Sequence, residues 1–288
     1  MIIGKNKDLV IENIKKSINE GKFNEKVEVD DPTLSSNQKS EIIKKYLLKR
    51  NSFKYKFNNK ISEAIISSVG ELQTKDTKIV GLENIQEIDT GAIITSNHFN
   101  PLDNMAIRKL AKKVGKQKLY IVGQETNLAM TGFIGFMMNY SDIIPISDQV
   151  SYMKSDFQKI IKETLDKKNF ILIYPEQEMW FNYRKPRTLK PGAYYYASKY
   201  KVPVISCFVE IVDKPEKDND EFYKVKYIVH VLKPIYPDND KSDKENSMWM
   251  LERDYSQKVE AYEKAYGKKL DYTFEPTDIA GMKCKDEV

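Results

Sequence analysis

The chain has 288 residues, two cysteines, two histidines and a formal net charge of +5. Two histidines exclude a histidine-rich metal site. The widely spaced Cys207, in an apolar run, and Cys284, in a polar tail, exclude a disulfide framework and fit a reducing compartment.

The N-terminus turns charged within a few residues, so no signal peptide is expected. Val10, Ile14 and Ile18 among charges predict a short amphipathic helix within residues 1–20, and Gly21–Ser36 reads as a polar connection containing Asp31-Pro32. From Lys39 to Lys60 there are eight Lys/Arg against Glu41 alone, a local charge of +7 when the rest of the chain carries −2. Ile42, Ile43, Tyr46, Leu47 and Leu48 accompany this basic stretch, followed by Phe53, Tyr55 and Phe57. Ile61, Ile65, Val69 and Leu72 then recur at helical spacing. Such a helix pair fits an interfacial membrane anchor or a solvated charged face packed on the main domain. No recognised binding motif accompanies the patch, so nucleic acid is not an expected partner.

From about Thr77 the pattern predicts α/β structure. Strands are expected at Lys78–Val80, Ala92–Thr95, Leu119–Val122, Ile143–Ile146, Phe170–Tyr174 and Val202–Phe208. Helical stretches are expected at Asp103–Val114, Thr126–Asn139, Ser151–Lys167 and Gly192–Lys199. This alternation predicts a mainly parallel central sheet flanked by helices, with the N-terminal helices as an extension. Phe222–Pro234 alternates as a half-exposed edge strand carrying His230, and Met248–Tyr266 as a long amphipathic helix. The residues from Asp271 read as extended or loosely ordered. The longest uncharged run, Thr126–Ser141, falls short of the ~20 apolar residues that a spanning helix needs. Its Met130–Met138 part suits a flexible apolar ligand, but the preferred reading is a buried helix against the sheet.

Two strand ends carry chemistry. After Ala92–Thr95 comes His98, then Asn100-Pro101, a helix-start signal in which Asn caps and Pro has no donor to lose. Asp103 would then be the third helical residue. There it can orient His98 as a general base or merely satisfy free N–H groups at the helix start. After Phe170–Tyr174 comes Pro175-Glu176-Gln177, and Arg184, Lys185, Arg187 and Lys190 follow closely enough to hold an anion. Both strand ends could open into one crevice. Glu176 could equally cap backbone groups, and the basic quartet could be a surface loop.

Asn97-His98-x4-Asp103, Tyr174-Pro-Glu176 after an apolar strand, Val202-Pro-Val-Ile, and the Gly81-Leu-Glu-Asn84 lead-in together resemble the phospholipid/glycerol acyltransferases that include 1-acylglycerol-3-phosphate acyltransferase. The resemblance spans residues 77–235. It implies acyl transfer from a thioester on coenzyme A or acyl carrier protein to a lipid hydroxyl, with no bound cofactor and no metal. His98 would be the base, Asp103 its orienter and Glu176 part of the acceptor site. Gln177, Asn100, Arg184, Arg187 and Lys190 are the further acceptor-binding candidates. The chain departs from the family at Gln177-Glu-Met-Trp180, where Gly-Thr-Arg-Ser is usual, and at Ile143–Asp148, which lacks the usual arginine. Both missing arginines are associated with the acceptor's phosphate. The expectation is therefore a catalytic domain at 77–288 behind a basic, membrane-interfacing helical region at 1–76. The acceptor would be a lysophospholipid, a glycolipid or another alcohol. The place of work would be cytoplasmic, on the anionic inner face of the membrane. The other class of reading is a non-enzymatic lipid-binding protein. A serine hydrolase or P-loop enzyme is not expected, because Gly-x-Ser-x-Gly and Gly-x4-Gly-Lys do not occur.

Overall fold

The strand β2 (Ala92–Thr95) is buried at all four residues, and the sheet is built outward from it. The computed structural model describes residues 6–29, 33–116 and 118–283. The charged extreme N-terminus, Asp31-Pro32 and Cys284 lie outside the described residues.

Among the described residues, seven strands form one sheet. They are β1 (Lys78–Val80), β2, β3 (Leu119–Gln124), β4 (Ile143–Ile146), β5 (Phe170–Ile173), β6 (Val204–Lys217) and β7 (Tyr223–Val231), in the order β1-β7-β6-β2-β5-β3-β4. Every neighbouring pair is parallel except β6 with β7. Parallel strands need covered faces, and the uninterrupted apolar runs Ala92–Ile94 and Phe170–Leu172 supply both faces at once. One core packs α7 (Asp156–Asp166), α8 (Gly192–Lys199) and α9 (Asp243–Tyr266) on one side of the sheet. A second packs α4 (Asn104–Lys113) on the other. A buried polar group ties α9 to the sheet. Thr95 and Tyr194 both donate to Asp254 Oδ2, at 2.7 and 2.5 Å, and Lys258 bridges Asp254, Thr95 and Ser206.

Several expected boundaries are corrected. β7 is not an edge strand, because Lys78–Val80 pairs outside it with Ile228–His230. β6 runs nine residues past Phe208, where its polar half is held by antiparallel pairing that alternation toward a core does not report. The predicted 126–139 helix divides into a 3₁₀ turn and α5 (Gly132–Tyr140), because Gly132 takes φ +64. The predicted 151–167 helix divides at Ser155 into α6 (Val150–Lys154) and α7. α5 is not a buried helix: of its residues Gly135 is buried, whereas Phe133 is 66% exposed. The C-terminal segment is ordered as far as Lys283, with Ile279 and Ala280 buried, Ile279 bridged to Tyr183 and Met282 bridged to Phe222.

The N-terminal helices are α1 (Lys7–Asn19), α2 (Ser36–Lys49) and α3 (Phe53–Gln73). A capping box between Ser35 and Gln38 starts α2. α1 buries Val10, Ile11, Ile14 and Ile18 against Trp180, Phe181 and Tyr183, so it packs on the loop that follows β5. α3 docks on α5, with Asn59 donating to the Tyr140 carbonyl at 2.8 Å and the Ser62 and Ser141 hydroxyls 2.9 Å apart. Among the described residues no helix is long and apolar enough to cross a membrane.

Candidate active site

Parallel register sets the site. Thr95 pairs with Ile173, so the chains leaving β2 and β5 emerge side by side at the carboxyl edge of the sheet. The first carries His98 and the second Tyr174, Pro175 and Glu176.

His98 Nδ1 lies 2.8 Å from Asp103 Oδ2, and the same oxygen accepts from the backbone N–H of Phe99 and Asn100 at 2.9 and 3.2 Å. Asp103 therefore does not cap the helix ahead of it. It precedes α4 as the boundary residue and satisfies the turn behind it, which fixes the histidine's backbone and side chain together. Asn100 is buried, and its Oδ1 accepts from Leu102 N–H at 3.0 Å. A carboxylate facing Nδ1 selects the Nδ1–H tautomer and leaves Nε2 as the basic nitrogen.

Glu176 is also buried. One oxygen accepts from His98 N–H at 3.2 Å and lies 2.9 Å from Arg187 Nη2, and the other accepts from Arg187 N–H at 2.9 Å. Burial pushes the Arg187 guanidinium's pKa down, and Glu176's charge acts to restore it. The guanidinium also bonds the carbonyls of Phe23 and Glu178 and stacks on Trp180 with 4.6 Å to the ring centroid. Arg184 turns away to Asp213, at 2.5 Å, and to the Thr277 carbonyl, at 2.8 Å. Lys185 pairs with Asp278 at 2.7 Å, both buried.

A cavity of about 560 Å³ opens on His98. Of the expected site residues, His98, Gln177 and Lys190 line it, whereas Asp103, Asn100, Glu176, Arg184 and Arg187 stand outside the lining. Its apolar wall includes Met130, Ile134 and Met138 from α5, Ile146 from β4 and Phe157 from α7. Tyr174, whose ring stacks on His98, belongs to the Tyr174-Pro-Glu176 motif but has no site role in the sequence reading, and neither do the N-terminal lining residues Lys7, Val10, Glu28 and Val29. A phenol at the end of an apolar strand is a signal that could have marked Tyr174. For the N-terminal residues no local signal exists, because the groups they meet are distant along the chain: Val10 packs with Trp180 and Phe181, and the Lys7 ammonium lies over the Phe181 ring.

Gln177 has φ +68, a left-handed conformation that glycine adopts at no steric cost. The residue that departs from the family pattern thus stands where the backbone itself favours glycine.

Residues 76–210 match the family model described as Acyltransferase. The fold is similar to the crystal structure of the 1-acyl-sn-glycerophosphate (LPA) acyltransferase PlsC from Thermotoga maritima, at 19% identity and a TM-score of 0.50, covering 81% of this chain and 90% of that one. No curated protein matches the chain in sequence.

Proposed function

From the premise that residues 76–210 form an acyltransferase-family domain, we infer that this enzyme moves a fatty acyl group from an acyl thioester to the hydroxyl of a lysophospholipid in membrane lipid synthesis. The observation that carries the reading is the His98–Asp103 contact at the mouth of an apolar cavity.

In this reading His98 Nε2 takes the proton of the acceptor hydroxyl as its oxygen attacks the thioester carbonyl. The imidazolium is held by Asp103, whose Oδ2 faces Nδ1 at 2.8 Å. The tetrahedral intermediate collapses, the carbon–sulfur bond breaks, and the departing thiolate takes the proton back from His98. A positioned base contributes typically 10²–10⁴-fold. The thioester comes on coenzyme A or acyl carrier protein, and the acyl chain lies along Met130, Ile134 and Met138. Residues 77–288 are then the catalytic domain, its cavity completed by Lys7, Val10, Glu28 and Val29, and within residues 1–76 α2 and α3 are the membrane-interfacing part.

Exposed side chains support a lipid surface as partner. Phe53, Phe57 and Ile61, spaced at i, i+4 and i+8 on α3, are 86%, 58% and 41% exposed, and Leu48 on α2 is 83% exposed. Lys44, Lys45, Lys54, Lys56 and Lys60 are exposed beside them. Apolar side chains flanked by lysines suit an anionic bilayer, so the proposed location is the inner membrane face.

A second acceptor class is favoured by one observation: Arg184 and Arg187 are engaged by protein groups, and Lys7 and Lys190 are the basic residues that line the cavity. An alcohol without a phosphate, such as a glycolipid, fits that lining as well. Thiol release from acyl-coenzyme A and acyl carrier protein, measured against a panel of lysophospholipids and glycolipids, tests the reading. His98→Ala activity at the parent level would overturn it in favour of a lipid-binding protein.

A further inference from the structure

Tyr174 follows β5 and touches both members of the proposed catalytic pair. Its ring stacks on the His98 imidazole with centroids 4.0 Å apart and planes 16° from parallel. Its hydroxyl donates to Asp103 Oδ1 at 2.5 Å. The two oxygens of Asp103 are thus divided, with Oδ2 serving the imidazole and the turn backbone while Oδ1 serves the phenol.

We propose that Tyr174 is a positioning residue for His98 and Asp103, its ring setting the plane of the imidazole and its hydroxyl completing the carboxylate. The assignment rests on the acyl-transfer reading for its catalytic consequence, but its geometry stands without it.

The physical case has two parts. Asp103 is 2% exposed, so water does not compensate Oδ1 if the phenol is removed. A buried carboxylate with one bare oxygen is freer to turn, and it competes for the imidazole proton instead of only orienting it. Burial, then Asp103's charge, then the hydrogen bond itself hold the Tyr174 phenol well above the ordinary tyrosine range, so it remains a donor throughout. Tyr174 exchanges no proton in the reaction. The ring acts separately. An imidazole fixed only through Nδ1 can still swing about that bond, and a parallel aromatic face at 4.0 Å restricts the swing. The negative face of the ring also favours the imidazolium formed in the attack.

Two variants separate the parts, Tyr174→Phe, which keeps the ring, and Tyr174→Leu, which removes both functions. For Tyr174→Phe the expected result is kcat reduced about tenfold, with KM for thioester and acceptor within about twofold, the signature of a lost transition-state interaction. For Tyr174→Leu the loss of kcat is about a hundredfold. Nitrogen-15 NMR reads the same geometry without turnover, because the chain has only two histidines. The Nδ1–H proton of His98 shifts in Tyr174→Phe and is lost to exchange in Tyr174→Leu. The signals of His230, which lies 2.7 Å from Glu210, stay in place and report an intact fold. Parent kcat with an unmoved His98 signal in Tyr174→Phe would overturn the proposal. A rise in KM with kcat unchanged would overturn it in favour of a substrate contact. Equal losses in the two variants would remove the role of the ring. Absence of acyl transfer by the parent protein would sink the functional reading alone, and the NMR comparison would still decide the positioning role.

Discussion

Arg187 Nη2 and Glu176 Oε2 lie 2.9 Å apart, and the two side chains are about 1% exposed. Both were expected to hold an acceptor. They hold each other, and through the backbone of His98 they fix the loop beside the proposed base. A buried pair broken on one side leaves an uncompensated charge, so Arg187→Met should cost about 3–5 kcal/mol of stability. The double change Glu176→Leu with Arg187→Met should recover much of that loss. Urea unfolding of the three proteins checks the pattern. If Arg187→Met instead folds normally and raises only the acceptor's KM, the guanidinium is available to substrate.

Asn24 connects the N-terminal segment to the same loop. It donates to the carbonyls of Glu176 and Thr188 at 3.1 and 2.7 Å and accepts from the Thr188 hydroxyl at 2.9 Å, while the Glu25 carbonyl takes the Trp180 indole N–H at 2.9 Å. Asn24→Ala should reduce kcat about tenfold at an unfolding midpoint close to the parent's, because a small misplacement of the site is costly. Activity unchanged in the variant would show that these contacts do not position the site.

Gln177→Gly should relieve a left-handed side chain worth about 1 kcal/mol, less the entropy that glycine adds to the unfolded chain. The midpoint should therefore be unchanged or slightly raised. If the Gln177 carboxamide contacts the acceptor from its place in the cavity wall, the acceptor's KM rises in the same variant.

Along the apolar wall, Met138→Trp or Ile134→Trp should shorten the longest acyl chain transferred and leave shorter thioesters near the parent rate. A chain-length series of thioesters makes the comparison. An unchanged length profile would place the acyl chain elsewhere.

For the membrane surface, Phe53→Asp with Phe57→Asp should abolish sedimentation with anionic vesicles while leaving the fold intact, since both rings are exposed. Raising salt from 0.1 to 1 M, which shortens the screening length from about 10 to about 3 Å, should weaken parent binding. Neutral vesicles binding equally well would remove the electrostatic part.

The sequence by itself determined the strand series and the contact between His98 and Asp103. Ala92–Thr95, Ile143–Ile146 and Gly192–Lys199 have the expected bounds, because apolar runs and their flanking turn residues are local signals. His98 and Asp103 are five residues apart, so one turn suffices to join them. Tertiary structure alone decided what the loop after β5 does. Glu176 reads as part of an acceptor site, and Arg184 and Arg187 as part of an anion site, while their partners are unknown. Those partners include His98 and Phe23, along with Asp213 and Thr277, which are distant in sequence and are brought in by strand register and by α1. A charge signals its destination only through the groups that surround it after folding. For that reason the cavity's N-terminal wall and the inner ion pair had no counterpart in local pattern.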